Sequence, residues 1–252
     1  MNLKGNTIFI TGGGSGIGRG LAEAFHKRGN QVIISGRRKS YLDDVINANP
    51  GMAAYELDIT DVESINLVTK RVVADYPDLN VLVNNAGIMP FDDAARPIEE
   101  TVLESIVNTN LLGPIRMTSA LVEHLKTKAD AVIINNTSVL AYVPIAYNAV
   151  YSSTKAALHS YSLSLRFALR ETSVSVQEIA PPWVDTDLIK KSGDPRAMPL
   201  EAFINETMAK LASESPEIVV DMIKPLRDNP GSGEHVFFTQ FNQSLIDNPI
   251  PR

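Results

Sequence analysis

Short apolar runs alternate with longer amphipathic stretches along this chain, and the alternation predicts its elements. Most of the short runs are β-branched and lack strict apolar–polar alternation, which is typical of strands buried on both faces. The predicted strands are Thr7–Thr11, Gln31–Ser35, Met52–Leu57, Val81–Asn84, Ala131–Asn135, Val174–Ile179 and His235–Phe238. The predicted helices are Ile17–Arg28, Tyr41–Ala48, Val62–Asp75, Thr101–Lys126 and Tyr151–Glu171.

The order of these elements predicts the fold class. Strands that alternate with helices favour an α/β fold, here a Rossmann-type doubly wound sheet of about seven parallel strands flanked by helices. Thr60 and Glu63 have the spacing of a capping box, and Ser215-Pro216 predicts the start of another helix.

No repeat, low-complexity segment or linker divides the chain, so we expect one domain over residues 1–252. The least regular segment runs from Pro181 to Gly233, yet it contains a helical pattern at Leu200–Leu211. We expect a small helical insertion that covers a substrate site, with residues 187–228 as the substrate-loop region. A surface subdomain is the alternative.

Composition narrows the class of protein. The chain has 252 residues, of which 44% are hydrophobic and 21% charged, with a formal net charge of −6. No long basic run is present, so neither nucleic acid nor an anionic membrane is the expected partner. The absence of cysteine excludes disulfides and thiolate metal sites. No apolar run approaches the ~20 residues of a membrane span, and the first one is too short for a signal peptide, so we expect a cytoplasmic protein.

A glycine-rich turn follows the first predicted strand directly and leads into a helix. Its sequence is Thr-Gly-Gly-Gly-Ser-Gly-Ile-Gly, at residues 11–18. Glycines permit close approach of a pyrophosphate, and a helix N-terminus supplies N–H groups and a positive dipole end. The spacing of Gly12, Gly16 and Gly18 is G-x-x-x-G-x-G, and no Gly-Lys-Ser/Thr of a P-loop follows. The turn therefore predicts a dinucleotide site.

The end of the second predicted strand bears on which dinucleotide binds. A carboxylate about 20 residues beyond the glycines would bind a ribose 2′-hydroxyl. This chain has Arg37 and Arg38 there instead. Arginine matches phosphate geometry, which favours the 2′-phosphate of NADP over NAD. Two solvated arginines at a helix start are the alternative.

Tyr151 and Lys155 lie four residues apart in a predicted helix, so they share one face. A cation beside a phenol favours the phenolate and lowers the phenol's pKa from its usual value near ~10. A phenol tuned in this way can act as a general acid or base. The alternative is a core tyrosine next to a solvated lysine.

Together these motifs resemble the short-chain dehydrogenase/reductase family, and the resemblance covers nearly the whole chain. The glycine turn, the Asn-Asn-Ala-Gly run at residues 84–87, Asn110, Ser138 and the Tyr151/Lys155 pair occur in the family's order. The segments SGRR, NLLGPIRMT and APPWVDT look most like the DltE-like oxidoreductases. One departure is Pro182, where the family usually has glycine; proline lacks an N–H and cannot reach positive φ.

The resemblance implies reversible hydride transfer between NADP(H) and a carbonyl/alcohol pair. Tyr151 would exchange the proton, and Lys155 would lower the pKa of Tyr151 and bind the nicotinamide ribose. Ser138 would bind the substrate oxygen, and Asn110 would hold a relay water.

The four histidines show no ligand spacing, so we expect no metal. The expected cofactor-binding residues are Gly12, Gly14, Ser15, Gly16, Ile17, Gly18, Arg37, Arg38, Asp58, Ile59, Asn84, Ala86, Gly87, Tyr151, Lys155, Pro181, Val184 and Thr186.

Residues that flank these motifs suggest a substrate with a hydrophobic part. Besides Ser138, the expected pocket wall is Met89, Tyr142, Val143, Tyr147 and Trp183, with core packing as the competing interpretation. The predicted Tyr151 helix is apolar on several faces, and the family commonly pairs this helix, so we expect a homodimer or homotetramer. Two alternative functions stay open: a non-catalytic NADP-binding redox sensor, and an epimerase or dehydratase that works through transient oxidation.

Overall fold

The computed structural model describes residues 1–189, 193–213, 215–228, 231 and 233–249. The strands are β1 (Thr7–Thr11), β2 (Gln31–Gly36), β3 (Ala53–Glu56), β4 (Leu79–Asn84), β5 (Ala131–Asn136), β6 (Val174–Ala180) and β7 (Glu217–Val219). The helices are α1 (Gly16–His26), α2 (Lys39–Ala48), α3 (Val62–Asp75), α4 (Glu100–Val107), α5 (Gly113–Lys126), α6 (Ala149–Ala168), α7 (Leu200–Leu211), α8 (Lys224–Arg227) and α9 (Glu234–Asp247).

All seven strands lie parallel in one sheet, in the order β3-β2-β1-β4-β5-β6-β7. The strand order reverses between β1 and β4. In an open parallel sheet a crevice forms at such a reversal, beyond the carboxyl ends of the strands. The Rossmann-type fold expected from the sequence is confirmed, and the reversal indicates where a ligand would bind.

Alternate residues of the central strands enter two separate cores, because side chains on a strand point to opposite faces. Ile8 and Ile10 of β1 pack in the core that includes α1, α2 and α7, whereas Phe9 packs in the core with α3 and α5. All three are fully buried. The sheet is thus covered on both faces, which explains why its strands read as unbroken apolar runs.

The last predicted strand is wrong. Residues His235–Phe238 lie inside α9, and the seventh strand is Glu217–Val219, three residues paired with the end of β6. Periodicity cannot separate a buried strand from a helix over a run this short. In α9, Phe237 stacks on Phe241 one turn later, with ring centroids 6.4 Å apart, so the apolar run continues at helical spacing.

Three other helix predictions differ from the structure, although the predicted bounds of α3 are those observed. The α3 helix begins after Asp61, whose side chain accepts from the Glu63 N–H, so Asp61 and not Thr60 is its cap. The Ser215-Pro216 pair precedes strand β7 and does not start a helix, because the Ser215 hydroxyl donates to the Glu217 carbonyl. The long helix predicted over 101–126 is interrupted by a π-helical turn at Asn108–Leu112.

Two described elements within residues 187–228 pack against the rest of the molecule. In α7, Phe203, Met208 and Leu211 are fully buried in the core shared with α1. Strand β7 extends the sheet.

Within the described part of the chain, no helix combines the length and the apolar character that crossing a membrane needs.

Candidate functional site

A cleft of about 1020 Å³ opens at the strand-order reversal and receives residues from most of the predicted motifs. The glycine turn joins β1 to α1 along its floor. Gly12 has φ of +67°, and a Cβ there would lie 2.8 Å from the Cα of Ala86. A Cβ on Gly18 would lie 2.3 Å from the Gly12 carbonyl oxygen. Glycine is therefore required at both positions by the packing of the turn against the β4 end.

The first turn of α1 lines this cleft with Ser15, Gly16 and Ile17. The Ser15 hydroxyl makes no cap hydrogen bond to the helix, although Ser15 stands at the N-cap position. It accepts instead from the Arg38 guanidinium at 3.3 Å. A helix N-terminus exposed in this way suits a phosphate group.

Arg37 and Arg38 follow β2 at the same end of the cleft, and both are exposed. The Arg38 guanidinium lies 3.7 Å from the centroid of the Tyr41 ring. Stacking on the ring holds the planar cation in place without using a carboxylate. Asp58 and Ile59, after β3, also line the cleft, and the Asp58 carboxylate accepts from the N–H and hydroxyl of Thr60.

The Asn-Asn-Ala-Gly run places its members at two depths. Asn84 is buried below the cleft, where its amide donates to Thr118 and Asn135, so the structure does not support direct contact between Asn84 and a cofactor. Asn85, which our sequence analysis did not select, lines the cleft and donates to the Thr11 and Gly12 carbonyls. Ala86 and Gly87 line the cleft as expected.

Helix α6 brings Tyr151 and Lys155 to the cleft on one face, opposite Ser138 from the end of β5. The Lys155 Nζ lies 5.5 Å from the centroid of the Tyr151 ring and donates to the Asn136 carbonyl at 2.8 Å. Lys155 is only 4% exposed, so the solvated-lysine interpretation is wrong. The Ser138 hydroxyl accepts from the Leu140 N–H at 3.1 Å, which holds it at the start of a helical turn.

The protonation of this pair differs from the expectation. Burial raises the pKa of Tyr151 to about 12, and the Ser138 hydroxyl acts in the opposite direction. Burial also lowers the pKa of Lys155 to about 8, and the nearby Glu178 carboxylate opposes that change. In the protein alone, desolvation therefore outweighs any lowering of the Tyr151 pKa by Lys155. At pH 7 these pKa values favour the neutral phenol and the cationic lysine.

Asn110 lies in the π-helical turn and is fully buried. Its amide nitrogen donates to the Ile88 carbonyl at 2.8 Å, and its oxygen accepts from the Ile88 N–H at 2.9 Å. The side chain therefore anchors the loop after β4 by both of its polar groups. A π-turn is often found where a helix presents a functional residue.

Pro181, Pro182, Val184 and Thr186 line the opposite wall after β6. The Pro181 carbonyl accepts from the Val139 N–H at 2.9 Å, which ties this wall to the turn next to Ser138. Proline at 182 leaves no N–H for a ligand, but the wall itself is in place.

At the other end of the cleft, Met89, Tyr147 and Trp183 form part of the lining, as expected. Tyr142 and Val143 do not line it: both are buried, and the Tyr142 hydroxyl donates to Glu217 at 2.7 Å. Their position after the helical turn at Val139–Ala141 points them into the core. For these two residues the core-packing interpretation is correct.

Several apolar residues that sequence reasoning missed complete this end of the cleft. All of them belong to the segments that follow β7, where the short apolar runs match no sequence motif. They are Met222, Ile223, Leu226, Phe241 and Leu245. The α9 helix is held here by Asn242, whose side chain accepts from the Ala146 N–H and donates to the Pro144 carbonyl.

Comparison with known proteins agrees with this geometry. The sequence profile described as short chain dehydrogenase matches residues 6–197. The oxidoreductase DltE of Bacillus subtilis is 37% identical over 248 residues, which cover 96% of this chain and 98% of DltE. The chain belongs to the short-chain dehydrogenase family. Proteins of this family are NAD(P)-dependent oxidoreductases.

Solved structures show the same fold with either dinucleotide. A short-chain dehydrogenase from Burkholderia cenocepacia, in complex with NADP, has a TM-score of 0.85 and 26% identity, over 95% of this chain and 98% of that one. A 3-ketoacyl-(acyl-carrier-protein) reductase from Brucella melitensis, in complex with NADH, has a TM-score of 0.78 and 27% identity, over 85% and 93%. A nicotinamide cofactor is thus supported for this short-chain dehydrogenase, whereas its choice between the two forms is not.

One cluster of possible metal ligands occurs among the described residues: His159, Glu178 and Glu217, with ligand atoms within 4.8 Å of one another. The cluster is saturated by protein hydrogen bonds. Glu217 accepts from Tyr142 and Arg227, and Glu178 accepts from Thr137 and His159. The positive charge of Arg227, which is bonded to Glu217, disfavours a bound metal cation. We therefore assign no metal to this cluster.

Asp92 is a further residue that the sequence analysis missed. It is 9% exposed, and its carboxylate accepts from the N–H groups of Ala149 and Val150 at 2.9 and 3.0 Å. These groups are the first of α6, so Asp92 caps the helix that carries Tyr151. Because Asp92 precedes the first residue of α6 by 57 positions, no local sequence pattern indicates that it caps this helix.

We expect Asp92→Ala to lower the free energy of unfolding by about 0.5–2 kcal/mol, because two N–H groups lose their acceptor. Denaturant titration measures this value. Asp93→Ala is the matched control, because Asp93 is exposed and its carboxylate contacts Arg96 and the Ala95 N–H of its own loop. Equal stability of Asp92→Ala and the wild type would contradict the capping role.

Proposed function

We propose that the protein is an NADP(H)-dependent oxidoreductase that interconverts a carbonyl and an alcohol by hydride transfer, with Tyr151 as general acid and base. The observation that carries the proposal is the meeting of Tyr151, Lys155 and Ser138 in the same cleft as the glycine turn. A nicotinamide dinucleotide in that cleft would supply or accept the hydride. The glycine turn, the α1 N-terminus and residues after β3 and β4 would hold it.

The state of Tyr151 suits proton donation to a carbonyl. A neutral phenol donates, and burial raises the pKa of Tyr151 to about 12, well above pH 7. As negative charge develops on the substrate oxygen, the Ser138 hydroxyl is placed to hydrogen-bond it, and the Lys155 cation favours the phenolate that results. A water relay through Asn110 stays a prediction, since both polar groups of its amide already bond Ile88.

Tyr151→Phe should lower kcat by about 10²–10⁴-fold or more, because the proton donor is lost. Affinity for NADPH, followed by fluorescence titration, should stay near the wild-type value. Tyr161→Phe is a matched control, since Tyr161 is a half-buried tyrosine of the same helix outside the cleft. Turnover in Tyr151→Phe at the wild-type rate would refute the assignment.

The preference for NADP rests on Arg38. Its guanidinium lies between the Ser15 hydroxyl and the Tyr41 ring, at the end of the cleft where β2 stops. There a cation of fixed orientation meets the position that a 2′-phosphate would occupy. Arg37 beside it adds positive charge, and the two relatives with bound cofactors show that the fold accepts both dinucleotides.

We expect Arg38→Ala to weaken NADPH binding by about 1.5–3 kcal/mol, roughly tenfold or more, and to leave NADH binding unchanged. Titrations with both dinucleotides measure the difference. Lys39→Ala provides the control, because Lys39 is also exposed and cationic but pairs with Asp43 at 2.6 Å. An equal loss of affinity for NADPH and NADH would assign Arg38 a general role instead.

The substrate is proposed to be a small molecule with an apolar part. The support is the apolar lining from Met89, Trp183 and the α9 residues. A screen of aliphatic and aromatic ketones and alcohols, followed at the absorbance of the reduced nicotinamide, tests both the function and the substrate class. Turnover with none of them, despite NADPH binding, would favour the redox-sensor alternative.

We also propose a homodimer or homotetramer that buries α6. Leu163 and Phe167 of this helix are 50% and 68% exposed, four residues apart on one face. Phe167→Glu should lower the mass measured by sedimentation, because it places a charge in the contact. Leu67→Glu, at a residue of α3 that is 71% exposed, should leave the mass unchanged. A wild-type monomer would contradict the proposal.

A further inference from the structure

Glu178 is a buried carboxylate that the proposed reaction leaves unexplained. It lies on β6, 1% exposed, at a sheet position next to Asn135 of β5. A buried carboxylate costs free energy unless it is hydrogen-bonded and faces compensating charge. A buried carboxylate is unexpected in an interior strand of the sheet, and its contacts suggest what it does.

One contact of Glu178 reaches the end of β5. The Thr137 hydroxyl donates to Glu178 Oε1 at 2.7 Å. Thr137 lies between Asn136 and Ser138 in the chain. The Asn136 carbonyl accepts from Lys155, and Ser138 is the proposed partner of the substrate oxygen. Glu178 therefore binds the residue that separates these two.

Another contact reaches α6. His159 Nδ1 lies 2.8 and 3.0 Å from the two Glu178 oxygens, and His159 follows Lys155 by one helical turn. A carboxylate only accepts, so Nδ1 carries the proton of this bond. Through these two partners, Glu178 joins β5 and α6, the two elements that carry Ser138, Tyr151 and Lys155.

We propose that Glu178 is a positioning residue, which holds the Ser138 strand end against the Tyr151 helix and supplies negative charge one helical turn from Lys155. The inference rests on the proposed function and adds a residue that acts through its neighbours.

The charges around Glu178 support the second part. Arg227 of α8 donates to Glu217 of β7 at 2.6 Å, so the charges of these two residues compensate each other. Among the described residues Lys155 forms no ion pair, and Glu178 is the charged group that raises its pKa against the effect of burial. The other titratable groups that face Glu178 are His159, whose pKa the carboxylate raises, and Tyr142, whose hydroxyl lies 3.3 Å away.

Glu178→Gln tests the charge, since glutamine keeps the shape and can still accept from Thr137. We expect kcat to fall by about 10–100-fold, with KM and the NADPH Kd unchanged. The alkaline limb of the kcat–pH profile should move to lower pH by about one unit, because Lys155 loses the carboxylate that favours its cation. Wild-type kcat together with an unmoved limb would overturn the proposal.

Two further variants separate charge from position. Glu217→Gln removes the other carboxylate of the cluster, which does not contact Thr137, and should leave kcat and the alkaline limb unchanged. Thr137→Val removes the hydroxyl that Glu178 binds but keeps the charge, so kcat should fall while the limb stays. If Glu178→Gln fails to fold by circular dichroism, Thr137→Val decides the positioning role, and wild-type kcat in that variant overturns it.

A measurement without turnover keeps this inference distinct from the proposed function. Lysine-selective ¹⁵N NMR follows the Lys155 Nζ signal, assigned by its absence in Lys155→Met. Its titration midpoint should be lower in Glu178→Gln than in the wild type and unchanged in Glu217→Gln. An inactive wild type with this shift would refute the oxidoreductase reaction and retain the role of Glu178, whereas an active wild type without the shift would refute the charge role alone.

Discussion

The site depends on the burial of one ammonium group. Lys155 is 4% exposed, and a cation removed from water must be compensated by groups that the fold brings to it. Its nearest partner is a backbone carbonyl, that of Asn136 at the end of β5. The position of Lys155 on α6 is thus coupled to the end of a strand, and through that strand to Ser138. This constraint also accounts for the buried Glu178, which supplies negative charge without entering the cleft.

Around the rest of the cleft, other buried or half-buried side chains also hydrogen-bond to backbone groups. Asn110 bonds both polar groups of Ile88, Asn85 bonds the glycine turn, and Asp92 caps α6 from a distant loop. Each is a side chain that satisfies backbone groups at an element end, where the regular hydrogen-bond ladder stops. The carboxyl ends of parallel strands have many such groups, and side chains that satisfy them hold the walls of the cleft in place.

Periodicity predicted six of the seven strands and the sheet class, because buried parallel strands and amphipathic helices have strong, different patterns. It failed for α9, where the three apolar residues Val236, Phe237 and Phe238 fit either element, and for β7, where three residues give too little pattern. The glycine turn and the Tyr151–Lys155 pair could be selected from the sequence because each depends on spacing within a single local motif. The direction of the Tyr151 pKa change was not, since desolvation depends on what covers the ring.

The sequence by itself determined which chemical groups were available and in which order they occur along strands and helices, since local spacing decides which side chains share a face. Only the tertiary structure decided their depth and their partners. Asn84 and Tyr142 are buried outside the cleft, whereas Asn85 and the α9 residues line it. Glu178 of β6 contacts His159 of α6. These contacts join residues far apart in the chain, and no local pattern encodes the distance between them.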